Sequence, residues 1–409
     1  MMDGNRSSRH TSDLRHQASK NVLAGNSVVN HTRPMKRSEE VQTKIDLVRG
    51  WLQRHGMESL LINSQANFAW LTGGGGNYVY FGDAAGIAFL LVTPNRAYLL
   101  TSNIETRRLQ EEQVADLPFD AVAWPWHDRD SARQRIAGLC DVSKAVSDLG
   151  SLGLPKVSDG FLGGFLGGFN ELRYTMSPRE IERYRCLGQD AAQALEAVCL
   201  SFEPGESELE IAASLAFQCQ KRNILPLVNL VGGDERIARY RHPLPTENPV
   251  RKTALIALTG RRHGLHISLT RLVSIGPVNS GLLGRHRAVV KVDARYILET
   301  RAGVTLGDVF SRAIDQYILE GFPREWELHH QGGLTGYAGR EIFATPDIRY
   351  RLEANQVLTW NPSITGTKSE DTILITSDGA EVLTRTGSWP ELEVELPMGT
   401  LNRPAILVR

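Results

Sequence analysis

The sequence has no charge excess: Lys+Arg and Asp+Glu each number 46 over 409 residues, and the formal net charge is +0. That leaves no broad basic face for nucleic acid or an anionic membrane. Cysteines are few. Cys140, Cys186, Cys199 and Cys219 form no C-x-x-C pair, which fits scattered reduced thiols in a cytoplasmic setting rather than a disulfide framework. No apolar run approaches the roughly 18–20 residues of a membrane helix, and the first residues lack the apolar stretch of a secretory signal. Acidic residues are missing from two long segments, between Glu247 and Asp293 and from Ala354 to Ser369. No carboxylate metal ligand can come from either.

What is present divides the chain into four parts. Residues 1–37 are polar, basic and aperiodic, which predicts a disordered extension; Met35 is a second candidate start. From Ser38, Val41, Ile45, Val48 and Leu52 lie on one helical face. "SLLIN", "GIAFLLVT", "RAYLL", "DAVAW" and "KAVSD" read as strands, with "SQANFAWLTG", "IETRRLQEEQV" and "DSARQRIAGL" as helices between them. This alternation predicts an α/β domain over 38–170. The Gly–Phe repeat "GFLGGFLGGF" (160–169) reads as a flexible segment near its boundary.

A second domain, 171–388, opens on "MSPREIERYR". Ser177 is a helix cap, Pro178 sits at the first helical position and Glu180 completes a capping box. Two helix pairs follow in parallel form. One breaks at Pro204–Gly205 and restarts at Ser207 with Glu210. The other breaks at Gly303 and restarts at Thr305 with Asp308. Each pair precedes strand-like sequence, so two pseudo-symmetric halves with a site in their cleft are expected. Residues 389–409 read as a C-terminal tail.

The ordered segments "SPREIERYR", "EPGESELEIAA", "RYRHPLP", "HGLHISLTR", "HHQGGLTGYAGRE" and "SEDTILITSDGAEVLT" resemble the peptidase M24 family of creatinase, prolidase and aminopeptidase P. The resemblance covers about residues 40–385. It implies a creatinase-like N-terminal α/β domain followed by a pseudo-two-fold pita-bread domain. It also implies a homodimer, with "WLTGGGGNYVYF" and "AWPWHD" as candidates to border the partner's site. Metal-dependent members hold two divalent ions with two aspartates, a histidine and two glutamates, because two close cations need several anionic oxygens to offset their repulsion. Here Ala257 and Ser268 match the aspartates and Asn361 the first glutamate. Only Glu370 and a histidine, His330 or in another register His329, remain.

No metal cofactor is therefore expected. A single ion on His330, Glu370 and His242 or His266 is the weaker alternative. The resemblance makes His242, His330 and Glu370 candidate catalytic residues, with His266, Ser268, Tyr337 and Asn361 around a small-molecule or short-peptide substrate. Two histidines facing one carboxylate form a workable acid–base set. His329 is expected to point away from His330 and to be structural, and Asp371 to anchor structure on the face opposite Glu370. Arg340 and Glu341 are expected to pair with each other, and Arg261–Arg262 to form a solvated turn. Creatinase, a metal-free member, works through a histidine and glutamates, but its substrate-binding hairpin glutamate falls on Thr270 here. The expected activity is metal-independent hydrolysis of a C–N bond in a small amide or guanidino compound. A silent binding module and a residual metal-dependent Xaa-Pro peptidase are the alternatives.

Overall fold

The computed structural model describes residues 35–128, 130–157 and 168–409. Most of the expected N-terminal extension and most of the Gly–Phe repeat lie outside the described residues. The first domain starts with α1 (Arg37–Arg54), which buries Val41, Ile45, Val48 and Leu52. Glu39 accepts the Lys36 backbone N–H at 2.7 Å, so the helix begins one residue earlier than its acidic first turn suggested. β1 (Ser59–Ser64), β2 (Ala85–Val92), β3 (Ala97–Ser102), β4 (Asp120–Trp124) and β5 (Ala145–Ser147) form one sheet in the order β4-β3-β2-β1-β5. α2 (Gln65–Leu71), α3 (Thr106–Arg108) and α4 (Ser131–Ala137) connect them. After α3 the backbone widens into a π turn through Gln113.

In the second domain α5 (Pro178–Ser201) and α6 (Glu208–Gln220) carry the predicted capping boxes, Ser177 with Glu180 and Ser207 with Glu210. β6 (Leu225–Gly233) leads through α7 (Arg236–Arg239) into the hairpin of β7 (Thr253–Arg262) and β8 (Leu265–Ser274). α8 (Ser280–Glu299) and α9 (Leu306–Leu319) repeat the helix pair, with Thr305 accepting the Asp308 N–H. A second sheet follows, built from β9 (Gly332–Thr335), β10 (Ile342–Phe343) and β11 (Val357–Trp360). β12 (Ser363–Ile364) and β13 (Thr367–Lys368) make a tight hairpin, and β14 (Asp371–Thr376) and β15 (Gly379–Val382) complete the sheet in the order β10-β9-β11-β14-β15. The two sheets join where Thr270 N–H donates to Glu370 O at 3.1 Å. The doubled helix-pair-plus-sheet arrangement is the predicted pseudo-two-fold architecture. Among the described residues no helix is long and apolar enough to cross a membrane.

The expected C-terminal tail is instead structure. β16 (Glu391–Leu396) pairs with β17 (Gly399–Pro404), and β18 (Leu407–Val408) lies parallel to β8. Arg403 explains the integration: its buried guanidinium reaches Asp293 at 2.5 Å and Asp371 at 2.6 Å, and Asp371 also receives Arg271 at 3.0 Å. Asp371 thus anchors the scaffold, as expected. The alternation in "ELEVEL" is the period-two pattern of a half-buried strand, and its apolar side chains Leu392, Val394 and Leu396 pack on the core of the second domain.

The two domains share one apolar cluster that runs from Val41 through Leu187 to Leu383. Buried charges fasten the same interface. Lys44 Nζ lies 2.6 Å from Glu180 and 2.8 Å from Glu40. Within the second domain, Arg173 holds Glu341 through two bonds of 2.8 and 2.7 Å. Breaking one partner of such a pair costs about 3–5 kcal/mol, because the other charge stays buried.

Candidate active site

Segments distant in sequence meet in a cavity of about 270 Å³ between the two halves. β7 supplies Ala257, Leu258 and Thr259 as its floor; His242 comes from the loop after α7, and His330 from the approach to β9. Gly339 and Arg340 come from the loop into β10 and Phe343 from β10 itself, Asn361 follows β11, Lys368 ends β13 and Glu370 immediately precedes β14.

The Gly332–Gly333 pair after the histidines has a steric reason. Both have positive φ, 111° and 143°. A Cβ there would lie 2.0 Å from Thr359 O or 2.1 Å from Ile342 O. Only glycine lets β9 squeeze between β10 and β11 and so bring His330 to the cavity.

Three imidazoles cluster there. His329 Nε2 lies 3.0 Å from His242 Nε2, and the His329 and His330 rings stack at 4.5 Å. This corrects the reading of His329 as pointing away. Period-two alternation needs a strand, and the strand starts only at Gly332; a 3₁₀ turn ends just before His329. His329 is buried, while His242 and His330 are open to solvent on one side and partly shielded on the other. Burial and then the Lys368 charge push His329 down to about 2. Burial, Arg340 and Lys368 take His330 down to about 4, and burial and Lys368 lower His242. All three rings are neutral near pH 7, so in the His242–His329 bond one ring donates and the other accepts.

Glu370 is buried among cations. Thr270 Oγ1 donates to it at 2.6 Å, Lys368 Nζ lies at 2.7 Å and Arg340 at 4.0 Å. Burial alone would raise its pKa, but Lys368, Thr270 and Arg340 together hold it below the usual carboxylate range. The immediate charge balance is one carboxylate against two cations. Asn361 Oδ1 is buried at the cavity wall without a hydrogen-bond partner among the described residues, an acceptor available to a ligand.

Of the residues singled out in the sequence, His242, His330, Glu370 and Asn361 meet in this cavity. His266 and Ser268 lie behind its wall on one face of β8, as their alternation predicts. His266 is buried, its Nδ1 is 3.4 Å from Gly336 O, and burial brings it down to about 3. Ser268 Oγ bonds Thr259 Oγ1 at 2.9 Å. Tyr337 is elsewhere. Its hydroxyl donates to Glu180 at 2.6 Å and its ring borders a different cavity, because the loop after β9 turns it toward α5. Arg340 and Glu341 do not pair with each other, since Arg173 takes Glu341 and Arg340 faces Glu370. Arg261 and Arg262 are not a solvated turn either; both are half-buried in the wall of that other cavity. Sequence reasoning missed Lys368, Arg340 and His329. Lys368 had a signal: two residues before Glu370 in an extended segment, it shares that residue's face.

A dinuclear metal centre does not fit these side chains. Ala257 offers no donor, and Ser268 and Asn361 are neutral. The remaining carboxylate already carries an ammonium. The nitrogens of His242, His329 and His330 lie within 4.8 Å of one another and are the set that could hold a single ion. Two of them are engaged with each other, and Lys368 and Arg340 stand beside them.

Residues 182–377 match metallopeptidase family M24, and residues 44–153 match the creatinase/prolidase N-terminal domain. An uncharacterized peptidase of Staphylococcus haemolyticus (strain JCSC1435) is 26% identical over 52% of this chain and 63% of its own length, so the match spans less than two thirds of that relative. The uncharacterized peptidase YqhT of Bacillus subtilis (strain 168) is 20% identical over 84% of this chain and 98% of its own. Among solved structures, an Xaa-Pro dipeptidase from Bacillus anthracis superposes with a TM-score of 0.69 at 18% identity, covering 90% of this chain and all of that one, a likeness of fold. With both of its characteristic domains matched in order, the chain belongs to the M24 creatinase/prolidase family.

Proposed function

We propose that this chain is a metal-independent hydrolase that cleaves a C–N bond in a small amide. The observation that carries the reading is the Lys368–Glu370 contact of 2.7 Å. In it a resident ammonium fills the place beside the surviving carboxylate that a metal-dependent member would give to an ion. In the proposed reaction a water held by His330 adds to the carbonyl carbon, and its proton passes to the imidazole. Arg340 and Lys368 stabilise the oxyanion that forms. The C–N bond then breaks, and the proton passes to the leaving nitrogen through His242, which His329 orients. Two cations around one carboxylate favour a substrate with a neutral or anionic end over a cationic guanidino compound. Pairing of two copies through the first domain, where Val79, Tyr80 and Trp126 are exposed, is part of the proposal. A monomer at micromolar concentration in sedimentation would rule that part out.

The test is a screen of chelator-treated protein against carboxylate-bearing amides, guanidino compounds and Xaa-Pro dipeptides, with and without manganese. The expected result is amide turnover that ignores the chelator and falls roughly 10²-fold or more in His330→Ala. Turnover that requires manganese would overturn it. A second reading, a binding module without turnover, is favoured by one observation: imidazoles held near 4 and 2 are weak bases. Substrate-like amides that bind but are never cleaved would select it.

A further inference from the structure

A second and larger cavity, about 520 Å³, lies on the other side of the β7–β8 hairpin. The hairpin's middle floors the candidate active site, while its tip, Arg261 to Gly264, walls this one. The glycine run 73–76, packed against the hairpin tip at His263, lines it as well. The lining is strongly cationic: Arg37, Arg108, Arg179, Arg183, Arg261 and Arg262 face it, and Glu112 is its one carboxylate among the described residues.

Most of these arginines are neutralised from behind. Arg108 lies 2.6 Å from Glu105 and Arg262 2.5 Å from Asp190. Arg183 and Arg179 share Glu40 with Lys44, at 2.7, 3.4 and 2.8 Å. Two make no ion pair among the described residues, although Glu40 lies near enough to Arg37 to act on it. Arg37 reaches only backbone oxygens, Thr72 O at 3.0 Å and Gln113 O at 2.6 Å. Arg261 lies over the Tyr78 ring at 5.1 Å, and its buried Nη2 has no hydrogen-bond partner among the described residues. Burial lowers the pKa of both guanidiniums, and for Arg37 the neighbouring Arg183 adds to the effect while Glu40 offsets part of it.

The glycine run supplies space rather than donors. A Cβ on Gly74 would lie 3.0 Å from the His263 side chain, and one on Gly75 3.0 Å from Gln113 O. The loop N–H groups are already used: Gly74 donates to Ala69 O, Gly75 to Thr72 Oγ1 and Gly76 to Gln113 Oε1. Recognition therefore falls to guanidinium groups, which bind carboxylate and phosphate oxygens in a planar fork.

We propose that this cavity is a binding site for a small polyanion, a molecule with at least two neighbouring phosphate or carboxylate groups, held chiefly by Arg37 and Arg261. The site is separate from the candidate active site and does not depend on the activity proposed for it.

Calorimetric titration of the full chain with pyrophosphate, and separately with citrate, tests this at two salt concentrations. The expected result is saturable binding of at least one of them that weakens as salt rises. Tighter binding of pyrophosphate assigns phosphate chemistry, and tighter binding of citrate carboxylate chemistry. Arg261→Gln and Arg37→Gln should each weaken binding by roughly tenfold or more. Arg324→Gln, an exposed arginine paired with Glu327 outside the cavity, should bind as wild type. Because Arg261→Gln removes an unpaired cation, its melting temperature without anion should not fall, so a loss of binding there reads as a lost contact. Absence of saturable binding to either anion, or unchanged affinity in both cavity variants, would overturn the proposal.

Discussion

Lys368→Met is the substitution that separates a built-in cation from an absent metal. An ion bound to Glu370 would sit about 2.2 Å from a carboxylate oxygen. The Lys368 ammonium is 2.7 Å from Oε2, so ion and ammonium would lie within about 5 Å of each other when that oxygen is the ligand. At an effective dielectric constant near 20, a divalent ion is then repelled by about 7 kcal/mol, or about 10⁵ in affinity. Wild-type protein dialysed against zinc or manganese should therefore retain no stoichiometric ion by elemental analysis. In Lys368→Met the block is gone. Affinity for zinc should rise by roughly a hundredfold or more, less than the full Coulomb figure because admitted water screens the rest. The same change leaves Glu370 buried against Thr270 and a distant Arg340, at a stability cost of about 3–5 kcal/mol. Lys368→Met with Glu370→Leu should recover most of it. Wild-type protein that binds one or more divalent ions at micromolar Kd would refute the reasoning.

Three further outcomes follow from the packing. His286 is buried, with Nδ1 2.8 Å from Thr367 Oγ1 and Nε2 2.9 Å from Pro404 O, and burial brings it down to about 4. Its folded pKa lies below the unfolded value near 6.5, so it contributes stability above that pH that is lost as pH falls toward 4. Between pH 7.5 and 5 the loss is about 2 kcal/mol, and chemical denaturation of His286→Gln should lack that increment. Arg403→Met should destabilise by about 3–5 kcal/mol, read as an earlier thermal transition, since Asp293 and Asp371 lose their common partner. Gly333→Ala should abolish soluble expression, because its Cβ would meet the β10 backbone.

The parts of the fold written in local chemistry were legible. Caps at Ser177, Ser207 and Thr305 involve residues three apart, and the apolar face of α1 repeats at helical spacing. Alternation placed His266, Ser268 and Thr270 on one face. The two acid-free segments excluded carboxylate ligands from those stretches without any structure. What could not be read was long-range. Arg173 finds Glu341 across 168 residues, Lys44 finds Glu180 across 136, and His329 finds His242 across 87. Each pairing depends on how the halves close. The strands of 391–408 were missed although the alternation in "ELEVEL" signalled one of them; only what ties them to the domain, Asp293, Asp371 and the edge of β8, is distant in sequence.

Glu370 and Asp371 are chain neighbours with opposite duties. One faces the cavity and its ammonium, while the other ties β8 to β17 through Arg271 and Arg403. The adjacent carboxylates can therefore drift independently over evolutionary time. Chemistry on the Glu370 side can be rewritten, ligand by ligand, while the scaffold continues to rest on Asp371. An insertion or deletion between Lys368 and Asp371 has no such freedom, because a shift of one position would exchange the two faces and lose both. Substitution is thus the route by which this strand can change its chemistry while its register, and with it the Asp371 anchor, stays in place.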